Sequence, residues 1–106
     1  MKTVNQLILD CVAKVLRINE TTDAQISISV TGHINALECD GYKHGYYKGT
    51  KKIINGETYY ESDYSPLKDF PCGWIRLNTE DTESQLRALL ESLNTLEKEL
   101  LTKEAK

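Results

Sequence analysis

Long apolar runs are missing from this chain. No window approaches the roughly 18 to 20 consecutive apolar residues that a membrane helix requires, and Met1-Lys2-Thr3-Val4-Asn5-Gln6 lacks the apolar core of a signal peptide. The expectation is a soluble protein of the cytoplasm. Neither sign of charge dominates: 13 Lys and Arg against 16 Asp and Glu leave a net charge of -3. That is no chain-wide field for nucleic acid, and it is too mild for an acidic mimic of DNA. Three cysteines cannot all pair within one chain, and in a reducing compartment burial, metal ligation or catalysis are their expected fates. The His-Glu-x-x-His helix, the Gly-rich phosphate loop and the Gly-x-Ser-x-Gly elbow are all absent. A non-enzymatic protein is therefore expected.

What is present fits one domain of 106 residues with a modest core. Val4, Leu7, Ile8, Cys11, Val12, Val15 and Leu16 recur at the three-and-four spacing of an amphipathic helix, which predicts a helix over 3–17. Cys11, in the middle of that stripe, reads as a small core residue. A polar connection over 19–25 leads to Ile26, Ile28 and Val30 alternating with Ser27, Ser29 and Thr31, the signature of a half-buried strand. Gly32-His33 reads as a tight turn into a second strand over 34–39, with one bent strand bulged at Gly32 as the competing reading. Asn55-Gly56, between 51–54 and 57–60, is the strongest hairpin signal in the chain. Residues 74–77 add a short strand. Thr82 with Gln85 reads as a capping box. The stripe of Leu86, Leu89, Leu90, Leu93, Leu96, Leu100 and Leu101 then predicts a helix over 82–102. That seam packs inside the domain or serves a homodimer. The fold expected is α+β, with an N-terminal and a C-terminal helix on a mainly antiparallel sheet of about four strands.

Chemistry-bearing residues concentrate between Cys39 and Trp74, which enclose His44, Cys72 and all six tyrosines. Cys39 and His44 are separated by four residues that include Gly41, a spacing that lets thiol and imidazole reach one tetrahedral ion across a turn. Cys72, in Pro71-Cys72-Gly73, supplies a third ligand, and His33, Asp40 or water a fourth. The expectation is a structural zinc, weighed against two plainly buried thiols and a solvated His44. Cys39 with His44 as a nucleophile and its base is disfavoured, because no third group orients the base. Tyr42, Tyr46, Tyr47, Tyr59, Tyr60 and Tyr64 are interleaved with Lys43, Lys48, Lys51 and Lys52. Such a mixture binds single-stranded nucleic acid or a protein surface. Glu57, Glu61 and Asp63 cancel the lysines, so a protein partner is the better fit and Tyr46, Tyr47, Tyr59 and Tyr60 are the candidate contacts.

At Ile28-Ser29-Val30-Thr31-Gly32-His33-Ile34-Asn35-Ala36-Leu37-Glu38-Cys39 the chain resembles small accessory proteins of phages of Gram-positive bacteria. In these a strand, a Gly-His-aliphatic-Asn turn and a second aliphatic strand precede a Tyr-containing loop. The group includes anti-CRISPR proteins that bind the type II RNA-guided nuclease, and a zinc-containing member would look like this chain. The resemblance implies an inhibitor of a bacterial defence protein that occupies a surface without catalysis, in the host cytoplasm. A small nucleic-acid-binding regulator and a zinc-free protein-interaction module are the alternatives.

Overall fold

The computed structural model describes residues 3–48, 50–70 and 73–104. The chain is α+β: the described residues form two helices and five strands, the strands divided between two antiparallel sheets. Helix α1 (Val4–Thr21) opens with a capping box, in which the Gln6 N–H donates to Thr3 Oγ1 and the Thr3 N–H to Gln6 Oε1. It runs four residues past the expected end. Ile18, fully buried, extends the stripe of Leu7, Cys11 and Val15, and the polar residues read as a connection instead close the helix. The Thr22 N–H and hydroxyl both donate to the Ile18 carbonyl, at 3.0 and 2.8 Å. Asn19 clasps the start of the next strand, donating to Ile26 O and accepting from Ile26 N–H, each at 2.8 Å.

Strands β1 (Gln25–Thr31) and β2 (Ala36–Tyr42) pair antiparallel with Ile28 opposite Cys39. The two-residue turn expected at Gly32-His33 is replaced by a 3-10 turn over Gly32–Ile34, closed by Asn35 in the left-handed region at φ 50°. Asn tolerates that conformation better than other non-glycine residues. The longer turn delays β2, which then runs to Tyr42. Gly41, read from sequence as part of a turn, is therefore a strand residue. A side chain there would meet the Gln25 carbonyl and the Ile26 backbone at 2.5 and 2.6 Å.

The hairpin of β3 (Thr50–Ile54) and β4 (Glu57–Glu61) forms around Asn55-Gly56, whose φ angles of 52° and 81° suit the mirror-image turn. It makes a sheet of its own rather than joining β1 and β2 in the single sheet expected. Strand β5 (Ile75–Arg76) pairs with the free side of β2, opposite Leu37 and Ala36. Tyr64 pairs with Gly41 on that same side. From Gly41 back to Ala36 β2 advances five residues, while its partner advances twelve, from Tyr64 to Arg76. Seven residues are in excess, and they leave the sheet as a loop between the two pairings.

Helix α2 (Thr82–Glu104) begins where expected, without the expected capping box. The Thr82 hydroxyl is taken by the preceding turn: it donates to Arg76 O at 2.6 Å and accepts from the Thr79 N–H at 3.1 Å. The Gln85 N–H bonds the Asp81 carbonyl instead. Leu86, Leu89, Leu93, Leu96 and Leu100 are buried against α1 and one face of the β1-β2-β5 sheet. Each contributes about 1.5–3 kcal/mol. The leucine seam thus packs within the domain, although Leu101, and Leu9 and Leu16 on α1, remain exposed. The helices run roughly parallel: Cys11 meets the Leu86 carbonyl, and further along both helices Lys14 and Arg17 meet the buried Glu97.

Candidate functional site

Tyr46 and Tyr47 sit on a short 3-10 turn (Tyr46–Lys48) between β2 and the hairpin. The Tyr46 ring is a hub, with centroids 5.1 Å from Tyr42, 5.1 Å from Tyr47 and 4.9 Å from Tyr60, each pair edge to face. Tyr47 also meets Tyr60 at 5.5 Å. Such pairs are worth about 0.5–1.5 kcal/mol each beyond the area they bury. The Tyr42 hydroxyl donates to the Tyr60 carbonyl at 2.9 Å, and the Tyr46 N–H to the Gln25 side chain. These rings and bonds fasten the hairpin to the end of the main sheet.

The hairpin carries almost no buried surface. Every residue of β3 is exposed, and of β4 only Tyr60 is half-covered. Alternation of side chains gives it two faces. Lys51, Ile53, Thr58 and Tyr60 share the face of the ring cluster; Lys52, Ile54, Glu57, Tyr59 and Glu61 share the other. On that other face Lys52 pairs with Glu61, and the Tyr59 hydroxyl donates to Glu57 at 2.6 Å, which raises the pKa of the phenol. Tyr47 is 79 % exposed and Ile53 67 %. On the other face Ile54 is 54 % and Tyr59 44 % exposed, so both faces leave large side chains in water.

The candidate contacts divide accordingly. Tyr46, Tyr47 and Tyr60 come together, Tyr46 as a half-covered centre and Tyr47 at the rim, while Tyr59 belongs to the opposite face. Tyr42 is the fourth ring of the cluster, and Ile53 an exposed side chain on the same face that the aromatic count alone does not reveal. Its neighbour Ile54, on the other face, is exposed as well. Tyr64 is a core residue, bonded to Ser92 at 2.8 Å, and burial pushes its pKa up to about 12.

The candidate metal ligands fare differently. Because β2 continues through Gly41 to Tyr42, Cys39 lies mid-strand and not at the mouth of a turn. Its thiol is buried in the core cluster; burial first, then Asp40 and Cys11, push its pKa up to about 12. That is the neutral thiol of a core residue, unlike the depressed pKa of an activated nucleophile. His33 and His44 are exposed beyond opposite ends of β2, a strand of about 20 Å at ~3.3 Å per residue. His33 therefore cannot complete a site containing His44. Among the described residues no three His, Cys, Asp or Glu side chains are grouped to share an ion. Cys72 lies outside the described residues. Its neighbour Gly73 lines a cavity of about 360 Å³ together with Ser29, Glu38, Cys39, Asp40 and Lys68, at the gap in the edge of β2. Cys11 is structural, as its stripe implied, with its thiol directed at the Leu86 carbonyl.

Among the described residues no helix is long and apolar enough to cross a membrane. No family model matches the chain, and no curated protein or solved structure matches it significantly.

Proposed function

We propose that this chain is a non-catalytic protein-binding module whose β3–β4 hairpin and tyrosine cluster meet the partner. The observation that carries the reading is the hairpin itself: five-residue strands left almost wholly in water, yet fixed in place by four interlocked rings. Rigid aromatic and aliphatic side chains at a surface bind protein at low entropic cost. Ion pairing of Lys52 with Glu61 removes part of the positive field that a nucleic-acid surface would keep. The resemblance at residues 28–39 names the partner class: a bacterial defence protein, the type II RNA-guided nuclease, inhibited by occupation of its surface. In a cleavage assay with purified nuclease and guide RNA, the chain should block DNA cutting, and Tyr47→Ala should weaken the block. Full cleavage in the presence of excess protein, with no complex by size exclusion, rejects the nuclease as target.

A structural zinc is proposed separately, with Cys39, His44 and Cys72 as ligands and without His33. Its support is the chemistry of the donor set, two thiols and an imidazole. Ligation would have to displace the proton of a thiol whose pKa lies near 12, so zinc retention should rise with pH. Elemental analysis of protein purified without metal-affinity resin should find zinc at about one equivalent per chain; protein without it rejects the site.

A further inference from the structure

We infer that the outer edge of β3 is a docking edge for an extended acidic segment of the partner, which adds to the hairpin as a third strand. This rests on the protein-binding reading above and states how the partner is gripped. A two-residue turn closes on a hydrogen-bonded pair, here Ile54 and Glu57. Alternation along the ladder then makes Lys52–Tyr59 and Thr50–Glu61 bonded pairs, and turns the N–H and C=O groups of Lys51 and Ile53 outward on β3 and those of Thr58 and Tyr60 outward on β4.

The two edges are not equivalent. On β4 the Tyr60 carbonyl already accepts the Tyr42 hydroxyl. On β3 no described strand pairs with the outer side, and all five residues are exposed. Unpaired edges of this kind are templates for strand addition, in which main-chain bonds supply affinity and side chains supply selection.

Charge selects the occupant. Lys51 makes no ion pair among the described residues, nor does Lys48 just before the strand, whereas Lys52 is matched by Glu61. A second copy docked on the same edge would set Lys51 and Lys52 of both chains against each other, which like charges on paired strands disfavour. An incoming strand with alternating carboxylates places negative charge on the face of Lys51 and its intervening aliphatic side chains on the other face, beside Ile54, which is 54 % exposed.

The probe is a short synthetic peptide alternating glutamate and valine, with its lysine-for-glutamate counterpart and a single-stranded oligothymidine as comparators. The acidic peptide should shift the amide resonances of Lys51 and Ile53 and slow their hydrogen exchange; the lysine peptide should do neither. Ile53→Pro deletes an outward N–H without touching a ladder bond. It should keep the thermal transition of the parent and lose at least about tenfold in affinity, the effect of one hydrogen bond worth ~1.4 kcal/mol. Lys51→Glu should exchange the preference between the two peptides. Equal binding to Ile53→Pro, or shifts confined to other residues, overturns the edge, and binding of the oligothymidine alone overturns it in favour of nucleic acid. In the nuclease assay the two readings separate. If Tyr47→Ala abolishes inhibition while Ile53→Pro retains it, the hairpin binds protein without strand addition. If neither substitution has any effect, the protein-binding reading falls as well.

Discussion

The helix-covered sheet and the bare hairpin are built from similar residues and held by different means. In β1 and β2 the alternation of aliphatic and polar side chains aims Ile26, Leu37 and Cys39 at the helices, and each is 5 % exposed or less. In β3 and β4 aliphatic and charged residues are adjacent, no residue is buried, and the anchorage is four tyrosine rings at one end. A two-stranded hairpin alone is marginal in water. Its persistence here depends on Tyr46, and its exposed face is free for a task other than folding.

If that contrast holds, truncation in the covered half should cost most. Leu93→Ala leaves a hole between the helices and the sheet and should lower stability by about 2–5 kcal/mol in denaturant titration. Loss of under 1 kcal/mol there would mean that the core is not where the free energy lies. Alkali should act on the same half. Cys39, Cys11 and Tyr64 are raised in the fold to about 12, 11 and 12 from 9, 9 and 10. The unfolded chain therefore gives up these protons first, so their contribution is complete below about pH 9 and is lost as pH rises to about 12. The loss should be read as a falling urea midpoint, and Cys39→Val should reduce it. A midpoint flat from pH 8 to 11 would show that these groups are solvated.

Tyr46→Ala removes the hub of the ring cluster and should cost about 1–2 kcal/mol, concentrated in the hairpin. Hydrogen exchange would show it as faster exchange over β3 and β4 with β1 and β2 unchanged; uniform acceleration would show that the two regions fold as one. Ile53→Ser should alter stability by less than about 0.5 kcal/mol while weakening partner binding. A large change in melting would reveal that Ile53 is packed.

Helix positions and the Asn55-Gly56 hairpin were legible because period and turn chemistry are local. The end of α1 was not, since Asn19, Thr21 and Thr22 look like loop residues until their side chains are seen bonded to Ile26, Arg17 and Ile18. Gly41 looks like turn chemistry, but its cause is a backbone approaching from β1, which no local pattern announces. That single misreading underlies the spacing argument for Cys39 and His44, which assumed a turn where β2 continues to Tyr42. The tyrosines shared one composition and met three fates, in cluster, opposite face and core. Those fates were set by Tyr64 pairing with Gly41 and by the register of the hairpin, both non-local.

Because α1 and α2 run side by side in the same sense, their peptide dipoles add where those of an antiparallel pair would cancel. Each helix end carries roughly half a charge, so the end of the molecule near Thr21 and Leu100 holds a standing negative potential that no titration removes. No basic side chain lies in the last turn of α1 to offset it.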